Sequence, residues 1–369
     1  MKRTSRIGAV SAAVAALSAA SSLGAAAAAV EPAAMVVLAR KTPAPPWPAG
    51  DERGMGNTLG AATTMRCGWH MLRNGARVYE ASQLRSNTAP KSPFADPSNV
   101  KPKPTSGVPF SAHAFNSETF DAGAEPGQQG TQIDALGHFA AINAPWNPKD
   151  PFPADQATYY GGMKQSEVKP TPDSPLLKLG IDKIPPIVTT AVLLDAKSFV
   201  GNGKAMSDGQ LVTAEHIKGM LKAQRLARRG ILPGDMVWVY TGWSDSWRDP
   251  AGDTAYYAMA PGLSVDAAKY LATQRIVAIG LDTPFIDAVP GGMLQGKAPP
   301  AIGTPPGLPF AIHHHMLTEF GIHHLENMNL AEMVGDKVWT SCAIVLPTRD
   351  KGAAGAAVRP VAIGVPARK

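Results

Sequence analysis

The stretch Gly127-Gln128-Gln129-Gly130-Thr131-Gln132-Ile133-Asp134-Ala135-Leu136-Gly137-His138 decides how the rest of this chain is read. Its polar residues Gln128, Gln132, Asp134 and His138 fall at even-numbered positions. Successive side chains of a strand point to opposite faces, so on a strand all four would project from one side. A helix would set Asp134 roughly opposite Gln132, so the pattern predicts a strand that runs into a turn at Gly137. Gly130, on the same face between Gln128 and Gln132, has no side chain and leaves room there for an ion or a reacting group. The same row of groups would equally suit the solvated side of an edge strand, and spacing alone leaves both readings open.

Downstream, Ile187 to Leu194 is a β-branched run that reads as a buried strand. Thr213 can cap a helix whose Ile217, Met220 and Leu221 share a face, with Gly230 as its stop. Met236 to Tyr240 resumes as a strand, Ser264 caps a second helix through about Thr273, and Ile276 to Leu281 returns to a strand. Strand, helix, strand, helix, strand predicts an α/β domain. Upstream, a helix is expected from Ala61 to Asn74 and a short strand over Arg77 to Glu80. Near the end, Ala311 to Phe320 reads as a helix closed by Gly321, Ile322 to Glu326 as an extended segment and Val338 to Leu346 as a strand. Proline-laden loops fill roughly 87–109, 144–186 and 284–309, lengths that in a folded domain mark functional rims or lids. The 369 residues allow one large domain or two small ones. No internal repeat occurs and no linker separates two cores, so a single domain over 51–369 is expected.

Lys2, Arg3 and Arg6 precede an Ala-rich apolar run from Ile7 to about Leu23, followed by small residues. This predicts a Sec-type signal peptide over 1–30 and a periplasmic or secreted protein. Residues 31–50, with Pro-Ala-Pro-Pro-Trp-Pro at 43–48, read as an extended Pro/Ala-rich leader. Loss of the first thirty residues lowers the net charge from +6 to +3, since three basic groups leave and no acidic one does. That balance argues against a nucleic-acid partner, and Arg225, Arg228 and Arg229 read as a solvated helix end. No later stretch is apolar enough to span a membrane. Cys67 and Cys342 are the only cysteines. Export would permit a disulfide, yet their distance in sequence predicts two separate small apolar residues. No Gly-x-Ser-x-Gly elbow occurs, and Gly201-Asn202-Gly203-Lys204 lacks the spacing of a phosphate loop.

The opening stretch resembles the signature His-x-Gly-Thr-His-x-Asp-x-Pro-x-His of the metal-dependent cyclase family, which includes kynurenine formamidases (arylformamidases) and isatin hydrolases. Gly130, Thr131, Asp134 and His138 match in register. Gln128 and Gln132 stand where that family has histidine ligands, and Leu136 replaces the proline. A branch with Gly-Thr-Gln-x-Asp-x-Leu-Gly-His is the more similar. The family also supplies a His and, twelve residues later, a Glu followed by Asn. Glu326-Asn327 fits, and counting back twelve selects His314 from His313, His314 and His315, with Leu317 and Gly321 in the expected places. Pro233-Gly234-Asp235, Thr241-Gly242-Trp243, Pro261-Gly262-Leu263, Gly280-Leu281-Asp282-Thr283 and the segment from Gly352 to Pro360 look like further landmarks in family order. His323 and His324 are expected to be exposed, as is His216, while the pattern assigns no role to His70 or His113.

The resemblance implies a single cyclase-like (swivelling β/β/α) domain with a mixed sheet and long Pro/Gly-rich loops, assembling as a homo-oligomer. It also implies a divalent ion held by Gln128, Gln132, Asp134, His314 and Glu326, with His138 as the catalytic proton carrier. Two amides, two carboxylates and one imidazole form a hard set that favours manganese over zinc, with magnesium or calcium also suited. Gln128 is the least fixed of these, since its amide could bind substrate instead. The activity implied is hydrolysis of an amide, lactam or ester in a small molecule, with cyclisation or dehydration, or a non-catalytic periplasmic binder, as alternatives. Tyr160, Trp243 and Phe285, together with Tyr159 and Trp146, lie in loops that could cover the pocket and would suit an aromatic substrate.

Overall fold

The structure is a computed structural model that describes residues 33–96, 99–121, 123–252 and 254–367; the expected signal peptide lies outside these residues. Four helices matter here: α1 (Ala33–Ala39), α2 (Ala61–Met71), α3 (Ala214–Ala223) and α4 (Val265–Thr273). Hydroxyl caps set two of their starts. Thr213 Oγ1 accepts from His216 N at 3.1 Å while His216 Nδ1 accepts from Thr213 N at 3.2 Å, and Ser264 Oγ accepts from Ala267 N at 3.4 Å. These bonds satisfy backbone donors that the first turn leaves open. His216 is thus a half-buried capping residue rather than an exposed one. Helix α1 is a second departure from the sequence reading. Met35 and Ala39 are buried and α1 packs beside α2, so this part of the leader is helical instead of extended.

Nine strands form one mixed sheet: β1 (Arg77–Glu80), β2 (Gln132–Asp134), β3 (Ile187–Asp195), β4 (Met236–Tyr240), β5 (Ala278–Leu281), β6 (His323–Glu326), β7 (Thr340–Val345), β8 (Gly355–Ala357) and β9 (Val361–Gly364). Their order is β1-β9-β7-β3-β4-β5-β6-β2-β8. The four central strands β3 to β6 run parallel, and the strands on either side pair antiparallel. Both faces are buried, which explains the near-continuous apolar runs of β3 and β4. Val192, Leu194, Val237, Val239 and Ile279 pack under Ile217, Met220 and Leu271 of the helices. On the opposite face Leu193, Met236, Trp238 and Ala278 meet Tyr79, Ile133, Leu325 and Ala343, as the sheet curls over itself.

One cross-sheet row positions the site. Val192, Val237, Ile279, His324, Asp134 and Gly355 are successive neighbours across six strands on the helix-bearing face. The row is apolar beneath the helices and turns polar where they stop. The loop expected at 87–109 also carries structure, since Asn99–Pro102 pairs with Glu118–Asp121 and Ser106–Gly107 with Ala114–Phe115 in two exposed ribbons.

Two expectations are corrected in the core. Cys67 and Cys342 are joined in a disulfide, because α2 lies across β3 and β7 and brings their Cα atoms to 4.2 Å. Their distance along the chain says nothing about distance once those elements pack. Arg229 is buried rather than solvated. Arg229 and Arg66 both bond Asp235, at 2.6 and 3.1 Å, with all three side chains fully buried. Removing one member of such a group leaves uncompensated charge in the interior. Asp235→Ala should therefore lower unfolding stability by about 3–5 kcal/mol in chemical denaturation; a loss below about 1 kcal/mol would show that water reaches the two guanidinium groups.

Candidate metal centre

Strands β2 and β6 pair antiparallel with Asp134 opposite His324 and Gln132 opposite Glu326, so these four side chains share a face. Gln132 Nε2 donates to Glu326 Oε2 at 3.0 Å and to Gln128 Oε1 at 2.7 Å, and Gln128 Nε2 donates to Asp134 Oδ1 at 3.0 Å. The expected strand is shorter than its pattern. Gln128 and His138 sit in flanking 3-10 turns, yet both still reach the site. Thr131 and Asn327 lock the register: Thr131 Oγ1 donates to Asn327 O at 2.6 Å, and Asn327 Nδ2 donates to Gly130 O at 2.9 Å. Asn327 has φ +55°, a left-handed conformation that asparagine tolerates. Gly130 has φ +73°, and the space above it, expected to admit an ion, is filled by the stem of Arg85, 3.0 Å from where a Cβ would stand. A Cβ at Gly355 of β8 would lie 2.9 Å from Gln128 Nε2 and 3.2 Å from Ile133 O, so glycine there leaves Gln128 undisturbed in its bond to Asp134.

The imidazole of the site comes from His313, not His314. Its Nε2 lies 3.4 Å from Glu326 Oε1 and 3.7 Å from Asp134 Oδ2, while its Nδ1 is 2.6 Å from Asp287 Oδ2. Asp287 accepts in turn from Ile312 N at 2.7 Å, so the carboxylate is fixed before it orients the ring. Nothing in the sequence pattern singled out Asp287. His314 instead faces Glu319, at 3.2 Å. The reason is local: residues 314–320 form a π-helix, whose i→i+5 turn takes one residue more than the α-helical turn that a spacing of twelve assumes. His323 and His324 are likewise buried rather than exposed, as they lie on an interior strand.

The electrostatics converge on a cation. Burial would raise the Asp134 carboxyl, but the imidazoles of His138 and His313 hold it well below the usual range. Burial and the Asp134 charge push Glu326 well above it. Burial lowers His313, yet Asp134 and Asp287 more than reverse this and raise it well above its ordinary value. Burial lowers His138, with the charge of His313 adding to the effect. Asp134, His138 and His313 offer ligand atoms within 4.8 Å of one another. Gln132 Oε1, Asp134 Oδ2 and both ring nitrogens of His324 are buried without a hydrogen-bond partner, and His324 packs edge-on against His313 at 4.7 Å between ring centroids. Ligands about 2.1 Å from a shared ion stand about 3–3.5 Å apart, so Asp134, His313 and Glu326 fit a divalent cation, with the Gln132 oxygen available to it.

A cavity of about 1050 Å³ opens above these groups, walled by Gln128, Gln132, His138, His313 and Glu326. Phe94, Phe139, Phe285, Phe310, Tyr159 and Tyr257 add aromatic surface. Of the three residues expected to contact substrate, Phe285 lines the cavity. Tyr160 bonds Asp51 at 3.3 Å and Trp243 donates to Tyr256 O at 3.1 Å, both away from its walls. His313→Ala should abolish manganese binding measured by calorimetry, Asp287→Asn should weaken it about 10–100-fold, and His314→Ala should leave it unchanged. Loss of binding in His314→Ala alone would reverse the assignment.

Among curated proteins no sequence matches the chain. Among solved structures it is similar to a novel cyclase, with TM-score 0.68 at 21% identity over 86% of this chain and 95% of that one. It is also similar to isatin hydrolase A from Labrenzia aggregata bound to benzyl benzoate, with TM-score 0.52 at 17% identity over 79% and 94% of the two chains. These likenesses bear on the fold, a single curled-sheet α/β domain. The Cyclase family model matches residues 45–288, well over half the sequence and including the Gly127–His138 stretch, and on that match the chain belongs to the Cyclase family.

Proposed function

We propose that this Cyclase-family member is a metal-dependent hydrolase of an amide, lactam or ester bond in a small aromatic molecule, arylformamidase-like in its chemistry. One observation carries the reading: Asp134, His313 and Glu326 converge, with unpartnered buried acceptor atoms among them, beneath an aromatic-walled cavity that the half-buried His138 lines. The residues fit a divalent ion of manganese type, and such an ion supplies Lewis-acid polarisation of a carbonyl and a more acidic water. The chain's own groups do the rest. His138, kept neutral by burial, accepts a proton from the attacking water as its oxygen bonds the carbonyl carbon. The same imidazole then returns that proton to the departing nitrogen or oxygen as the scissile bond breaks. Asp287 keeps the His313 ring turned toward the two carboxylates throughout. The aromatic walls suit a flat ring, and isatin hydrolase A, whose fold this chain shares, holds an aromatic ester. A location outside the cytoplasm is part of the proposal, supported by the signal-type composition of the first thirty residues and by the Cys67–Cys342 bond.

His138→Ala should lower turnover of N-formyl aromatic amines, lactams or aryl esters by about 10²–10⁴-fold while manganese stays bound. Because burial holds this imidazole below its ordinary value of 6.5, the base form persists into mild acid, and the acid limb of kcat/KM should lie below pH 6.5. Turnover lost on chelation should return more fully with manganese than with zinc; full recovery with zinc alone would overturn the hard-ligand reading. A product that keeps or loses mass, instead of gaining one water, would favour cyclisation or dehydration.

A further inference from the structure

The π-helix that displaces His314 from the centre creates a second cluster. His314 Nε2 lies 3.2 Å from Glu319 Oε1, and His315 Nδ1 lies 2.7 Å from Glu319 Oε2. In an α-helix, residues five apart are turned about 140° from each other and could not meet this way. The i→i+5 turn of the π-helix brings positions 314 and 319 onto one side, while 315 and 319 keep the four-residue spacing. All three residues offer ligand atoms within 4.8 Å of one another. The His315 ring is held in place, mostly buried and stacked at 20° on Phe320, so little side-chain entropy is lost in using it. Glu319 is 43% exposed, which leaves solvent access for an ion and room for water to complete its shell.

We propose that His314, His315 and Glu319 form a second divalent-cation site, distinct from the centre that His313 serves. Two imidazoles and one carboxylate make a softer set than the oxygen-rich centre, so it takes zinc, nickel or copper in preference to manganese, magnesium or calcium. A bound ion ties the first turn of the π-helix to its last and so braces the segment that begins next to His313. The role is structural, and it does not depend on which reaction the cavity carries out.

The test uses the full chain, free of any polyhistidine tag, stripped with chelator and titrated with zinc chloride by calorimetry, with bound zinc counted after desalting. Wild-type protein should bind one more zinc per chain than either Glu319→Gln or His314→Ala. Asp134→Asn, which damages only the other centre, should keep the zinc that these two variants lose. Zinc should also raise the melting temperature of Asp134→Asn but not of Asp134→Asn combined with Glu319→Gln. If Glu319→Gln and His314→Ala bind zinc with the stoichiometry and affinity of wild type, the cluster is an ion pair only and the proposal fails. Since His314 and Glu319 are the least buried of the three, their substitution leaves the helix intact, and circular dichroism of each variant verifies it.

Discussion

The antiparallel register between the strand carrying Gln132 and Asp134 and the strand carrying His324 and Glu326 is the constraint on which the site depends. It joins residues 194 positions apart, Gln132 and Glu326, through a buried side-chain bond. Side chains alternate along a strand, so a slip of one residue by either strand would turn that strand's carboxylate into the opposite core, where Ile133 and Leu325 now pack, and part it from the other. With only three facing pairs between the strands, backbone pairing alone fixes this register weakly. The Thr131–Asn327 bonds at the strand end pin it, which gives the Gly-Thr and Glu-Asn pairs of the sequence a mechanical reason.

The glutamines take on a related task. Two buried carboxylates on one face repel, and each amide brings an N–H donor to a neighbouring oxygen. Imidazoles at 128 and 132 would offer the same carboxylates a ring nitrogen of different reach and softness. The amide chain from Glu326 through Gln132 and Gln128 to Asp134 thus sets the spacing of the acids as well as the hardness of the pocket.

Much of this was legible in the sequence, and the limits have physical causes. Strands β3, β4 and β5 and the caps at Thr213 and Ser264 were readable because each is written in local periodicity or a single hydroxyl. The shared face of Gln132 and Asp134 was readable from strand alternation and Glu326 from family likeness, whereas Gln128 and His138 reach the site from 3-10 turns that alternation does not foresee. His313 was missed because spacing arguments assume a regular turn, and a π-helix breaks that assumption without any compositional mark. The burial of His323, His324 and Arg229 depends on which strand becomes interior and which acid lies opposite, and neither is written nearby in the chain. Asp287 was missed for the same reason, since it orients a residue 26 positions away. Tyr160 and Trp243 looked like pocket residues because loop aromatics carry no sign of the direction in which they point.

The Cys67–Cys342 bond encloses 275 residues of sequence separation, and within that span lie both halves of the site and the two exposed ribbons of 99–121. Any backbone cut inside the span therefore yields two pieces that stay covalently attached. Nicking by a protease at the ribbons would not by itself part Asp134 from the segment before it, and the severed polypeptide would come apart only under reducing conditions.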